Sequence, residues 1–199
     1  MSDHYQTLAN RVELRHKVER SEFLGLAFPC ASEEEFFVAL SQIGKKYFDA
    51  THHCWAFRLL SNRQRSSDAG EPAGTAGKPI LSAIEGADVF DVAIVVVRWF
   101  GGVKLGTGGL SRAYRGTAAE TLRRGEIVER FLYDTIRVEV PFESISAIYR
   151  LINPPHVKLI DESFGEKNVF TIDVRRSRTA EVEAALAQRR LTFSRATPP

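Results

Sequence analysis

One uninterrupted apolar run constrains the fold of this chain more than any other feature. The six residues from Val92 to Val97 are all apolar, and Asp91 and Arg98 bound them. A strand with one solvent-facing side alternates apolar and polar residues, so this run predicts a strand covered on both faces. It is also far shorter than the roughly 20 apolar residues of a membrane span. We therefore expect a central strand over 91–100, and no membrane partner.

The composition is that of a globular protein. The 199 residues are 44% hydrophobic and 26% charged, which allows one domain or two small ones with a real core. Cys30 and Cys54 form neither a disulfide framework nor a metal-ligand spacing, and the first ten residues lack the pattern of an export signal. We expect a cytoplasmic protein without a bound metal or cofactor.

The segment before the central strand predicts a hairpin, a helix and a strand. Residues 12–28 are typical of strands, and Pro29 ends them. Ser32 and Glu35 have the spacing of a capping box, followed by apolar residues at helical spacing up to Tyr47. Residues 53–60 alternate as a strand, and we expect one side of it to face the core, formed by Trp55, Phe57 and Leu59.

A long loop separates that strand from the central one. Residues 61–78 show no apolar periodicity, and loops of this length inside compact domains are usually functional. Pro79 is predicted at the first position of a short helix that runs to Glu85 and ends at Gly86.

A glycine-rich segment follows the central strand and leads into a helix that runs to about Arg124. At 100° per residue one side of this helix is apolar, and Arg112, Arg115 and Arg123 lie on the other. Gly125 is predicted to end the helix, and a strand is expected over 126–132. The residues predicted to pack are Leu110, Ala113, Tyr114, Thr117, Ala118, Thr121 and Leu122.

From Thr135 the pattern predicts a second domain. Alternating residues are followed by a helix that Pro154 and Pro155 end, two strands around a turn at 165–168, a helix capped by Thr179 and a last strand. The order β-α-β-β-α-β is the ferredoxin-like order. The predicted domains are 1–133 and 134–199.

Three segments carry a resemblance to a known family. Thr51–Ala56, Asp68–Pro79 and Val95–Leu110 closely resemble the IMPACT/YigZ family and together span the first two-thirds of the chain. The resemblance implies an α+β fold: an N-terminal left-handed βαβ domain like those of a ribosomal small-subunit protein, elongation factor G domain IV and the GHMP kinases. It also implies a C-terminal ferredoxin-like domain similar to domain V of elongation factor G, as in bacterial two-domain members. Eukaryotic relatives are linked to translational control through partners reached partly by another domain, so those partners are not expected to carry over.

The strongest chemical signal is an anion site at the glycine-rich segment. Between a buried strand and a helix, unpaired backbone N–H groups meet the positive end of the helix dipole, and glycines allow an anion to approach closely. The same glycines also suit a tight turn that binds nothing. The residues of this predicted anion or RNA site are Arg98, Gly101, Gly102, Lys104, Gly106, Thr107, Gly108, Gly109, Arg112 and Arg115.

The charge distribution favours a phosphate backbone as the anion. From Arg98 to Arg124 there are six basic residues against the single acid Glu120, an excess of +5, whereas the whole chain carries +2. A basic helix face beside an anion-binding turn is typical of nucleic-acid binding, although such faces are often merely solvated.

Four other side chains are predicted to support this site: Asp68, Glu71, Lys78 and His53. Asp68 and Glu71 are candidates for a general base or metal ligand, with ordinary turn chemistry as the favoured interpretation. Cys54 with His52 and His53 raises a Cys–His hydrolase hypothesis, for which no orienting third group is visible. The favoured interpretation of Cys54 is a small buried residue.

We therefore expect a protein that binds RNA or a ribosomal surface and acts in translation or its regulation, with no catalytic residue assigned. The alternative is an enzyme acting on a phosphorylated or anionic small molecule at the same turn, with Asp68 or Glu71 as base. A third class is a protein-interaction module with a protein partner. The sequence leaves the ligand and the oligomeric state open.

Overall fold

The computed structural model describes residues 3–196, which form two compact units. Residues 6–129 form the larger unit, and residues 3–5 with 130–196 form the smaller. The domain boundary between residues 133 and 134 stays a prediction. The strands and helices up to residue 131 are β1 (His4–Leu8), β2 (Val12–Val18), β3 (Ser21–Pro29), α1 (Glu33–Lys46), β4 (His52–Arg58), β5 (Gln64–Ser67), α2 (Gly77–Gly86), β6 (Val92–Trp99), α3 (Gly106–Arg124) and β7 (Ile127–Phe131).

A five-stranded antiparallel sheet with the order β2-β3-β6-β4-β5 organises the larger unit. The apolar run forms β6 in the middle of this sheet, and Val92 to Val97 are all fully buried, as predicted. Because β3 and β4 both pair antiparallel with β6, they run parallel to each other and are joined through α1. The mixed α+β class is confirmed, and the left-handed connection stays a prediction.

Helices cover both faces of this sheet. On one face, side chains from β6 such as Ile94 and Val96 pack with α2 and α3; on the other, Val95 and Val97 pack with α1. The expectation that one side of β4 faces the core was therefore too narrow. Cys54 and Ala56 are as deeply buried on the α2 and α3 face as Phe57 is on the α1 face.

Helix α3 matches its prediction at its C-terminal end and in its packed face, but it begins at Gly106, so Gly106, Gly108 and Gly109 of the predicted glycine-rich turn belong to the helix. It ends at Arg124 with Gly125 as the C-terminal cap, and every residue predicted to pack is buried. Among the helices of residues 3–196, none is long and apolar enough to cross a membrane.

The predicted loop over 61–78 was wrong in part. Residues 64–67 form β5, an edge strand paired with β4, and α2 begins at Gly77, two residues before Pro79. Pro79 is thus the third residue of α2 rather than the first. An N-terminal turn tolerates proline because its N–H groups have no partner within the helix, which explains why the sequence alone did not fix the start.

The smaller unit has the predicted ferredoxin-like arrangement. Its elements are β8 (Tyr133–Val140), α4 (Ile145–Leu151), β9 (Val157–Ser163), β10 (Asn168–Arg175), α5 (Thr179–Gln188) and β11 (Thr192–Ala196), with the sheet order β11-β8-β10-β9. Both helices contribute to one core with Ile136, Phe170 and Ile172. The predicted cap at Thr179 was wrong, since its hydroxyl donates to the Asp134 carboxylate and Thr179 is the first residue of α5.

Ser32 caps the start of α1 as predicted, but the reciprocal bond of the capping box goes to Ala31, the residue before the cap. The Ser32 hydroxyl oxygen accepts from the Glu35 amide at 3.1 Å, and the Glu35 carboxylate accepts from the Ala31 amide at 2.9 Å.

We expect Ser32→Ala to lower the free energy of unfolding by about 1 kcal/mol, because it leaves the Glu35 amide without its partner. Urea denaturation measures this change, with exposed Ser41→Ala in the same helix as the control; an equal change for both variants would contradict a capping role.

Candidate anion-binding site

Strand register places three side chains in one row on the face covered by α2 and α3. Arg98 of β6 lies opposite Phe23 of β3 on one side and His52 of β4 on the other. Residues paired across neighbouring strands point to the same face of a sheet, so the three are neighbours. The row lies one residue before the carboxyl end of β6, next to the glycine-rich segment.

A buried ion pair anchors this row to the loop before α2. The Glu71 oxygen Oε1 accepts from Arg98 Nη1 at 2.6 Å and from the Tyr114 hydroxyl at 2.7 Å, while Arg98 Nη2 donates to the Ser21 hydroxyl at 3.0 Å. The side chains of Arg98 and Glu71 are only 4% and 3% exposed. Burial raises the pKa of Tyr114, so its hydroxyl keeps its proton and donates. The loop, β6 and α3 thereby meet at the Glu71 carboxylate, and β3 joins them through the hydrogen bond from Arg98 to Ser21.

Asp68 shapes the loop that presents Glu71. Its two oxygens accept from the amides of Gly74, Ala76 and Gly77 at 2.8–2.9 Å. Burial alone would raise the pKa of Asp68, but these three hydrogen bonds outweigh it and hold the pKa below its ordinary value. The favoured interpretation of Asp68 as a turn residue is confirmed. The hypothesis of Asp68 as a general base stays a prediction, although three backbone amides already donate to this carboxylate.

Arg98 differs from its expected role as a phosphate contact. Removing one partner from a buried ion pair costs about 3–5 kcal/mol, because the other charge is left uncompensated. Turning Arg98 outward toward a phosphate would incur a cost of that kind. Arg98 therefore holds the fold of the site, and its guanidinium also lies 5.5 Å from the ring centres of both Phe23 and Phe100.

The glycine-rich segment is shaped by close packing and by backbone conformation. A Cβ atom on Gly101 would stand 1.8 Å from the Arg20 carbonyl oxygen, so only glycine fits there. Gly106, the first residue of α3, has φ +69°, a conformation that side chains disfavour. Both observations agree with the interpretation of these glycines as residues of a tight turn. Neither feature fills the space in front of the first turn of α3.

The N-terminal end of α3 is open. Leu105 provides no side-chain cap, and the first turn contains no acidic residue. The amide N–H groups of Gly106, Thr107 and Gly108 donate to no group within residues 3–196. Such groups carry the positive end of the helix dipole and favour an anion.

The six cations of the basic stretch fall into two groups. Arg98 pairs with Glu71, and Arg123 and Arg124 pair with Glu120. Within the described chain, Lys104, Arg112 and Arg115 have no acidic partner, and all three are exposed. These three unpaired cations lie just before α3 and along its N-terminal half.

A cleft of about 450 Å³ opens beside the first turn of α3, and we call it the Glu71 cleft. Its walls include Glu71, His52, Phe100, Lys104, Leu105 and Thr107. On the other side of Lys104 lies a separate depression lined by His16, Glu19 and Arg112. Lys104 thus borders both spaces, whereas Arg112 and Arg115 lie outside the Glu71 cleft.

The remaining predicted residues are placed as follows. Lys78 is exposed in the first turn of α2, near enough to Asp68 to lower its pKa, and is not part of the cleft wall. His53 Nε2 lies 3.0 Å from the Tyr47 carbonyl oxygen, on the α1 side of the sheet. The sequence pointed to His52 as a partner of Cys54 and placed Tyr114 among the packed residues of α3, but it assigned neither of them, nor Ser21, to the anion site. The alternation of β4, which places His52 on the side of Cys54, was the one signal that pointed to His52.

Cys54 does not have the surroundings of a nucleophile. It is fully buried, its thiol donates to the Asp68 carbonyl oxygen at 2.9 Å, and burial raises its pKa to about 12. Neighbouring His52 directs Nδ1 toward the Ala69 carbonyl oxygen at 3.0 Å instead. The interpretation of Cys54 as a small buried residue is confirmed. No cluster of three or more potential metal ligands occurs between residues 3 and 196.

These features define a two-domain α+β protein with a buried ion pair behind an open helix end. Comparison with known protein families agrees with this class: the family model described as "Impact N-terminal domain" matches residues 19–122. The chain therefore belongs to the IMPACT family.

Individual relatives match over most of the chain. An IMPACT family member from Thermus thermophilus, described by its place in the pol 5' region, is 43% identical over 141 residues, 71% of this chain and 76% of the relative. YvyE from Bacillus subtilis is 31% identical over 177 residues, 88% of this chain and 82% of the relative. A crystal structure described as that of a hypothetical protein matches with a TM-score of 0.75 and 26% identity over 100% of both chains.

We expect both cysteines to resist thiol reagents in the folded protein. Burial raises the pKa of Cys54 to about 12 and that of Cys30 to about 11, so almost no thiolate exists at pH 8. Labelling with Ellman's reagent at pH 8 checks this, with protein in concentrated urea as the control in which both thiols react. Rapid labelling of one thiol in the native protein would contradict the inert assignment and reopen the hydrolase hypothesis.

Proposed function

We propose that this protein acts in translation or its regulation by binding single-stranded RNA through the N-terminal half of α3. RNA phosphates occupy the open first turn, and Lys104, Arg112 and Arg115 neutralise phosphates beside it. The observation that carries the proposal is the coincidence of unpartnered backbone amides with three exposed cations that have no acidic partner in the described chain.

The charges of this region support a polymer of phosphates as the ligand. An exposed ion pair is worth at most about 1 kcal/mol. The single carboxylate of Glu120 offsets only one of the two charges of Arg123 and Arg124, which are the last two residues of α3 and lie far from its open first turn. Lys104, Arg112 and Arg115 need no rearrangement to meet a phosphate. Since Arg112 and Arg115 are one helical turn apart, they present two charges on neighbouring positions of one surface.

The translational setting rests on the family. The sequence resemblance to IMPACT proteins implies a link to translation, and membership of that family supports carrying the link to this chain. A ribosomal surface offers the same phosphate backbone as free RNA. The ferredoxin-like unit supplies a second surface for a protein or RNA partner.

Salt dependence tests phosphate binding directly. For a labelled single-stranded RNA measured by fluorescence anisotropy, three neutralised phosphates predict a slope of log K against log salt near −2, from about −0.7 per phosphate. The double variant Arg112→Ala/Arg115→Ala removes two of the three contacts, so its slope is expected near −0.7.

The matched control is Arg123→Ala/Arg124→Ala, which removes the same charge from the same helix. Because those two arginines are the last two residues of α3, at the opposite end from its open first turn, this variant is expected to keep the slope of the unaltered protein. An unaltered protein without salt-dependent RNA binding would contradict the proposal. So would equal losses of slope in the two double variants.

A further inference from the structure

The Glu71 cleft contains hydrogen-bonding groups that neither the fold nor RNA backbone binding uses. Glu71 Oε1 is occupied by Arg98 and Tyr114, but its second oxygen, Oε2, accepts from no group in residues 3–196. That oxygen is also not sealed from solvent. A carboxylate oxygen of a deeply buried side chain is thus left as an acceptor in the wall of the cleft.

His52 presents a second acceptor beside it. Because a carbonyl oxygen only accepts, the 3.0 Å contact between Nδ1 and the Ala69 oxygen assigns the proton of the neutral imidazole to Nδ1. Nε2 then carries the lone pair and lies 3.8 Å from Glu71 Oε1, beyond hydrogen-bond distance. This end of the cleft therefore calls for a ligand that donates hydrogen bonds.

Donors lie elsewhere on the wall. The Thr51 oxygen already accepts from the Phe100 amide at 3.0 Å, so its hydroxyl proton is available to donate. The first-turn amides of Gly106 and Thr107, together with the Lys104 ammonium, provide positive potential for an anion. One cleft thus combines acceptors, a neutral donor and an anion-binding end.

The apolar part of the wall narrows the class of ligand. Phe100 is 46% exposed although it is a large aromatic residue, and Leu105 lies beside it in the cleft wall. Exposed aromatic rings suit the C–H face of a sugar, while sugar hydroxyls both donate and accept and so match a mixed lining. The volume of about 450 Å³ lies within the range of small-molecule sites.

From this arrangement we infer that the Glu71 cleft binds a phosphorylated sugar. Its phosphate lies at the first turn of α3 beside Lys104, its ring lies against Phe100, and its hydroxyl groups donate to Glu71 Oε2 and His52 Nε2. The first turn of α3 and Lys104 are shared with the proposed RNA site. The inference goes beyond RNA backbone binding, because Glu71 and Phe100 are not needed for RNA phosphates and Arg112 and Arg115 lie outside the cleft.

Isothermal titration calorimetry with ribose 5-phosphate, ribose and inorganic phosphate tests the inference. Because the sugar phosphate engages both ends of the cleft, its dissociation constant is expected to be at least tenfold lower than that of either fragment. No binding of ribose 5-phosphate, or binding no tighter than that of inorganic phosphate, would overturn the inference.

Three variants separate the two ends of the cleft. Glu71→Gln and Phe100→Ala are each expected to raise the dissociation constant of ribose 5-phosphate at least tenfold. The dissociation constant of inorganic phosphate is expected to change by less than twofold. Lys104→Ala is expected to weaken the binding of both ribose 5-phosphate and inorganic phosphate. The control is Lys45→Ala, an exposed lysine of α1 on the opposite face of the sheet, which changes neither.

The variants distinguish loss of sugar phosphate binding from loss of folding and from loss of RNA binding. Phe100 and Lys104 are exposed, so their variants remain informative if thermal denaturation shows that Glu71→Gln fails to fold. Unchanged sugar phosphate affinity in Phe100→Ala would overturn the inference by itself. The pair Arg112→Ala/Arg115→Ala is expected to bind ribose 5-phosphate normally, so loss of RNA binding and loss of sugar phosphate binding are distinguishable.

Discussion

The buried ion pair between Glu71 and Arg98 fixes the arrangement of the site. Four segments that are distant in the sequence meet there: the loop before α2, the end of β6, the start of β3 through Ser21, and α3 through Tyr114. An ion pair of this kind is costly to break because either partner alone would be a buried, uncompensated charge. Helix α3, through Tyr114, and the wall of the Glu71 cleft are consequently held together at one carboxylate.

The ion pair also divides the cations of this region by their role. Arg98 is committed to the interior, whereas Lys104, Arg112 and Arg115 lie on the surface without an acidic partner in the described chain. A cation that is already compensated adds little to phosphate binding, while an unpaired one contributes its full charge. The proposed function therefore rests on three residues and the open helix end, not on the whole basic stretch.

The sequence was sufficient for those parts of the fold that depend on local pattern. The unbroken apolar run gave β6, helical spacing gave the packed face of α3, and the order of elements gave the ferredoxin-like unit. It was insufficient where structure depends on pairing across the chain. Edge strand β5 lacks an apolar pattern because only its hydrogen bonds to β4 define it, and β4 is buried on both faces because helices from two directions cover it.

The candidate site shows the same limit. The glycine-rich segment and the unpaired cations could be predicted because each is a local feature of the sequence. That Arg98 turns inward to Glu71, 27 residues away, depends on the strand register and on the loop shaped by Asp68. His52 was predicted as a partner of Cys54 and not as a residue of the anion site, because its position opposite Arg98 is likewise a property of the sheet.

The most direct test is an NMR titration of the ¹⁵N-labelled protein with a short single-stranded RNA, following each backbone amide. If phosphates occupy the open end of α3, the largest chemical-shift changes will occur at Gly106, Thr107 and Gly108 and weaken as salt is raised. Unchanged signals from these amides, while RNA binding perturbs another surface, would contradict the central role of this helix end.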